Sequence, residues 1–163
     1  MNIFILNKNP IKAAQEQCDK HVVKMALESA QMLSSAHRIL DGDEADDRLY
    51  KIAHPKHPCT LWTMESIANY HWHYIHWVAL CKEYEYRYGK QHLSFVKLRD
   101  ILKEQPKNIP IGAQTPFRLA MGSNPECMFE DPVKSYRAFY KTKQERFEMK
   151  WTKREVPQWF LTA

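Results

Sequence analysis

The apolar positions recur at three- and four-residue steps over most of the chain. In the first forty residues Ala14, Cys18, Val22, Met25, Ala26, Met32, Leu33, Ala36 and Leu40 form one helical stripe. A second stripe on the same segment is polar: His21, Lys24, Glu28, Gln31, Ser35 and Arg38. Asn9 followed by Pro10 is an N-cap with proline at the first helical position, so the pattern predicts one helix from Pro10 to about Leu40, stopped by Gly42. The apolar run Asn2–Leu6 has no partner strand and is expected to be an extended arm packed on the helices. His54–Pro58 reads as a stiff extended linker, because a residue before proline is pushed out of helical space. A second long helix is predicted from about Cys59 to Tyr88, ended by Gly89. Its apolar stripe contains Leu61, Met64, Ile67, Ala68, Ile75, Val78 and Cys81, and its mixed stripe Trp62, Glu65, Asn69, Trp72, His73, His76 and Glu83. Shorter helices are expected over Leu93–Glu104, over Phe117–Met121 and from Asp131–Pro132 to about Lys143. The expected architecture is all-α: one compact domain over residues 1–163, with two long antiparallel helices, shorter helices and a basic, aromatic C-terminal tail. Val22, Met25, Leu33, Ile67, Ile75 and Val78 are expected in the interface of the two long helices, with the polar stripes flanking a shared groove.

Composition narrows the function classes. At 163 residues with 44% hydrophobic positions, the chain suits one domain with a real core and is not a disordered segment. No signal-peptide pattern and no run of about 18 apolar residues is present, so a cytoplasmic location with no membrane partner is expected. The four cysteines have no paired spacing and are expected as free, buried thiols. Net charge is +5, and the excess is uneven: Asp41–Asp47 carries five acids, whereas residues 134–154 carry eight Lys or Arg. A basic, aromatic segment suits an anionic, stacking partner, so Lys141, Lys143, Lys153, Arg154, Trp151 and Trp159 are candidate nucleic-acid contacts. With only four glycines, a Gly-based phosphate cradle is nearly excluded. His71, His73 and His76 share a helix, but none lies four residues from another, so no metal site is expected, and no cofactor.

The polar stripe of the first helix carries the candidate chemistry. His21 and Glu28 are seven residues apart, which puts them on one face about 10 Å apart along the axis. A carboxylate between Lys24 and Gln31 on a rigid helix is suited to general acid or base work, with His21, Lys24 and Gln31 as positioning groups. A solvated helix face is the bland alternative, although the stripe lacks a Glu-to-Lys ladder.

The run Asp19-Lys20-His21 with Glu28 seven residues after the histidine resembles the phage pyrimidine-dimer DNA glycosylase family of the endonuclease V type. His57-Pro58 followed by Trp62, the ending Glu83 to Arg87-Tyr88-Gly89 and the basic, aromatic tail are similar to further features of that family. The chain also resembles a set of small, uncharacterised tailed-phage proteins through DKHVVKM, HP-x3-W, RYGK-x-H and WTKREVP-x-W. The glycosylase resemblance implies an all-α fold and cleavage of an N-glycosidic bond of a modified or damaged pyrimidine. It also implies an N-terminal α-amine as nucleophile, with Glu28 beside it. Asn2 is too large for efficient removal of the first residue, so the amine would be that of Met1, and the family's arginine three residues after the glutamate is Gln31 here. Activation of a water by Glu28, without lyase chemistry, is the second route. His57, Trp62, Asn69, His73 and Arg87 join His21, Lys24 and Gln31 as candidate substrate contacts. The expected partner is DNA or a nucleotide. A non-catalytic binder of nucleic acid or a nucleotide is the alternative from another class, and an interaction protein with no nucleotide site is a third.

Overall fold

A computed structural model describes residues 1–162. Seven α-helices make up the regular structure, and no strand occurs among the described residues: α1 Pro10–Gln15, α2 Asp19–Asp41, α3 Pro58–Glu65, α4 Ile67–Tyr88, α5 Leu93–Lys103, α6 Pro132–Lys141 and α7 Gln158–Leu161. None of the described helices is long and apolar enough to cross a membrane. The two long helices, α2 and α4, run antiparallel. His37 meets Tyr70, Ser29 meets His73, the Ala26 carbonyl meets Trp77 and Asp19 meets Arg87, so positions that descend along α2 ascend along α4. One core cluster extends from Ile3 to Trp151.

Each predicted long helix is broken once. Between α1 and α2 the chain leaves helical geometry at Cys18, and the carbonyls freed there are taken by side chains. Arg87 donates to Gln15 O at 2.9 Å and Gln17 O at 2.8 Å, and the Trp151 indole N–H donates to Glu16 O at 2.7 Å. Three N–H donors from two distant side chains therefore do what an uninterrupted helix would have done internally. The second break is at Ser66, extended at φ −157°, whose hydroxyl accepts from Asn69 N and caps α4. Ile67 N, at the first position of α4, donates to Pro110 O.

The apolar stripe of α2 is buried as predicted: Val22, Met25, Ala26, Met32, Leu33 and Ala36 are all 2% exposed or less. On α4 the expected set fails in part. Ile67 and Val78 are only half-buried, and Ile75 is exposed. The interior of α4 is instead built from Tyr70, Trp77 and Leu80, with His73 and His76 in between. The arm Asn2–Leu6 lies buried on the helices as expected. The expected helix at Phe117–Met121 is absent, because carbonyls of this stretch are used elsewhere: Tyr136 donates to Arg118 O and Asn2 to Ala120 O. The remaining shorter helices appear near their expected bounds, and Gly89 closes α4 at φ 75°, in the left-handed region that favours glycine. All four cysteines are free and buried.

Arg87 was expected at a substrate. It is 4% exposed and makes an internal hub, with Nε on Glu83 at 2.8 Å and Nη1 on Asp19 at 3.0 Å besides the two carbonyls. Removing one side of a buried charge network strands the other charges, at about 3–5 kcal/mol. Arg87→Ala is expected to lose roughly that much stability in urea unfolding; a loss under about 1 kcal/mol would show that the hub does not hold the α1–α2 break.

Candidate active site at the N-terminal arm

The polar stripe of α2 is not an open face, because the N-terminal arm lies along it in the opposite direction. Met1 reaches Glu28, and three residues later Phe4 stacks on His21, with ring centroids 4.8 Å apart. The arm is fixed by its backbone and by Asn2. Gln17 donates to Ile3 O, Arg137 to Leu6 O and Trp72 to Lys8 O. Asn2 is buried; its Oδ1 accepts from Phe4 N at 3.0 Å and its Nδ2 donates to Ala120 O at 2.9 Å. Phe4 has φ 57°, a left-handed conformation that costs a side-chain-bearing residue about 1–3 kcal/mol and persists only where the surroundings impose it. The Asn2 turn and the packing of Phe4 on His21, Phe139 and Tyr140 impose it here.

The result is a primary amine beside a carboxylate. The Met1 α-amine is 3.6 Å from Glu28 Oε1, with the Met1 side chain 3% exposed and that of Glu28 16% exposed. Glu28 Oε2 is buried and has no hydrogen-bond partner among the described residues. One oxygen thus faces the amine while the other is a free acceptor, unusual for a buried carboxylate with no further role. His57, half-buried, completes the group. Its Nδ1 accepts from Cys59 N at 3.0 Å, capping α3, which leaves the proton on Nε2. Burial and the nearby Met1 amine lower its pKa; a hydrogen bond to the Met1 backbone and the charge of Glu28 oppose this.

No protein-family model, curated protein or solved structure matches this chain.

His21 borders the same face two turns away. Its Nδ1 shares a 2.8 Å hydrogen bond with the Tyr140 hydroxyl, and Phe147 meets its ring edge-on at 5.5 Å. Burial first, then Lys143, Lys24 and Lys20, push its pKa down to about 3. At neutral pH it is an uncharged aromatic wall. Lys24 is exposed and Gln31 half-buried, on the turns either side of Glu28.

The other candidate substrate contacts belong to the interior. Trp62 is 1% exposed, and its indole donates to Thr115 O. Asn69 is spent on Trp62 O and on Thr115, through both amide atoms. His73 is wedged between Thr63 Oγ1 and Ser29 Oγ, where burial drives its pKa well below the ordinary value. These side chains hold the loop around Thr115 and the α2–α4 contact, so they are corrected from ligand contacts to framework.

The tail divides similarly. Trp151 is buried with its N–H on Glu16 O, and Trp159 donates to Glu16 Oε2 at 2.7 Å, so both anchor the tail and neither is a free stacking platform. Arg154 pairs with Glu83 at 2.7 Å, Lys141 donates to Thr162 O and Lys153 to Tyr86 O. Lys143 alone of these six stands beside the α2 face, through His21. Phe4 and Tyr140 carry no signal in the sequence that marks them for this face; Tyr140 meets His21 across 119 residues and leaves no local pattern. A cavity of about 550 Å³ between α1 and α4, lined by Ile11, Ile75, Glu83, Tyr86 and Arg154 among others, includes none of Met1, Glu28, His57 and His21 in its lining. Among the described residues no three His, Cys, Asp or Glu side chains group as a metal site.

Buried neutral imidazoles tie stability to pH. His21 titrates near 3 and His76, enclosed by burial, near 4, against about 6.5 in an unfolded chain. Below 6.5 the unfolded state binds protons that the folded state refuses, so unfolding free energy falls as pH drops from 6.5 towards 4. With His73, three such groups give a slope of up to about 4 kcal/mol per pH unit. His21→Gln is expected to remove about a third of it in denaturant unfolding at stepped pH, and an unchanged slope would show that His21 is charged in the fold.

Proposed function

We propose that the chain is a DNA glycosylase-like enzyme that cleaves the N-glycosidic bond of a modified or damaged pyrimidine nucleotide. The observation that carries this is the 3.6 Å approach of the Met1 α-amine to Glu28 on a face bordered by lysines. A primary amine can attack the sugar C1′ carbon only when it has lost its proton, and a carboxylate in contact is the group that takes it. The amine lone pair forms the C1′–N bond, and the pyrimidine departs with the electrons of the glycosidic bond. Opening of the sugar ring at the C1′–O bond then gives an iminium, which water hydrolyses. Glu28 takes the proton that the amine gives up and returns it to the ring oxygen as the C1′–O bond opens; as a carboxylate again it faces the positive iminium, while the departing base takes its proton from water. If Glu28 activates a water instead, the same bond breaks without a covalent intermediate. The base would have to be extruded or already unpaired to reach the amine. The setting in keeping with this chemistry is repair or modification of DNA in the cytoplasm of a phage-infected host.

A second reading is favoured by the same contact. An amine kept protonated by its ion pair to Glu28 only ties down the arm, and the face then serves a non-catalytic binder of nucleic acid or a nucleotide.

The experiment is base release and borohydride trapping on oligonucleotides carrying damaged or modified pyrimidines. Wild type is expected to release base and, by the amine route, to form a reducible covalent adduct through Met1. Glu28→Gln should lower turnover roughly a hundred-fold or more, change stability by about 1 kcal/mol or less and retain binding. Base release without an adduct selects the water route. Wild-type-like release by Glu28→Gln removes the carboxylate from the mechanism, and binding without any release by wild type selects the binder.

A further inference from the structure

Four cations converge on the far end of this face outside any ion pair among the described residues. On α2, Lys20 and Lys24 are one turn apart, and Lys24 is one turn from Glu28. Lys143 and Arg146 come from the irregular turn after α6. Aromatic rings hold the two best-placed ammonium groups: Lys20 Nζ lies 4.4 Å from the Phe147 centroid, and Lys143 Nζ lies 4.5 Å from Phe139 and 5.9 Å from Phe4. Phe4 and Phe147 both pack on His21, so the rings and cations form one cluster. Among the described residues, none of the four makes an ion pair, although other basic residues of the chain do. Lys143 is half-buried, and burial with Arg146 and Lys24 nearby lowers its pKa. Gathering like charges on a partly buried surface costs stability, and an anion that binds there recovers it.

A place for the anion adjoins the cluster. A cavity of about 290 Å³ is lined by Lys143 and Arg146, by Ser123, Asn124 and Thr142, and by one carboxylate, Glu145. Its cations suit phosphate oxygens, while the Thr142 and Ser123 hydroxyls already donate to Phe139 O and Asn124 Oδ1. The sequence has almost no glycine for a backbone cradle, so anion binding has to come from side chains of this kind.

We propose that Lys20, Lys24, Lys143 and Arg146 form a phosphate-ester site, with the phosphate seated against the 123–124 and 142–146 segments and its nucleoside directed along α2 towards Met1 and Glu28. The direction of the nucleoside rests on the function proposed above, whereas the phosphate site itself stands on the cluster and cavity. The phosphate can be the terminal monoester of a nucleotide or strand end, or an internal phosphodiester.

Fluorescence anisotropy with short single-stranded oligonucleotides, with and without a 5′-phosphate, tests this across a salt series. Lys143→Gln combined with Arg146→Gln should weaken binding at least tenfold and make the slope of log K against log salt shallower by about 0.7 for each phosphate no longer neutralised. Weakening confined to the phosphorylated strand identifies a terminal monoester, and equal weakening on both identifies an internal diester; either supports the site. Lys143→Arg should retain most of the affinity, and Lys103→Gln on α5 should leave affinity unchanged, as thermal melting of each variant verifies folding. Unchanged affinity and salt slope in the double variant would overturn the proposal. Trapping by wild type with unchanged binding by the double variant removes this site and keeps the enzyme. Weakened binding by the double variant, with no trapping and no base release by wild type, keeps the site and removes the enzyme.

Discussion

The guanidinium of Arg87 is the constraint on which the rest of the molecule depends. It closes the α1–α2 break by taking the carbonyls of Gln15 and Gln17, and it fixes the end of α4 to the start of α2 through Glu83 and Asp19. Its two carboxylate partners are shared with the tail: Glu83 also holds Arg154, and Asp19 accepts from Thr152 through both backbone and hydroxyl. A planar, always-charged group with five donors suits this position, where lysine could not reach two carboxylates and two carbonyls at once. By setting where α2 begins, it sets the rotation of the helix, and so which way Glu28 and His21 face.

The site follows from that rotation. With the apolar stripe of α2 buried against α4, the polar stripe turns towards the groove that the N-terminal arm fills. The arm then brings the chain's first amine to a carboxylate on a rigid helix, with Asn2 and the left-handed Phe4 setting its course. Precision here comes from the framework: His73, Asn69 and Trp62, spent on hydrogen bonds inside the core, hold the helices and the Thr115 loop in register.

The helical class, the caps at Asn9 and Asp131 and the interior of α2 were legible because each is written in adjacent residues: a cap before proline, or a 3.6-residue period. Glu28 stood out in the sequence as the one acid of its stripe, but its contact with the Met1 amine did not. The breaks at Cys18 and Ser66 were not, because a helix interrupted by side chains from residues 87 and 151 has no local signal beyond one serine in an apolar run. The same blindness misassigned Arg87, Trp62, Asn69 and His73. Polar groups on a helix face look available for a ligand until the loop that consumes their hydrogen bonds is in place. Ile75 fell on the predicted apolar stripe yet is exposed, since aromatic residues with polar tips, Tyr70 and Trp77, fill the interior instead.

The ordering of chain segments has a kinetic meaning. The arm is held by Ala120 and Arg137, His21 by Tyr140, and the α1–α2 break by Trp151. Ile3–Leu6 therefore finds its place only after residues more than a hundred positions further along have been made. Until then Ile3–Leu6 is an uncovered apolar strip, open to chaperones and to wrong partners, and the closure of a loop spanning nearly the whole chain precedes any assembly of the amine and carboxylate. Local helices can form early in synthesis, but the chemistry of the α2 face must wait for the tail.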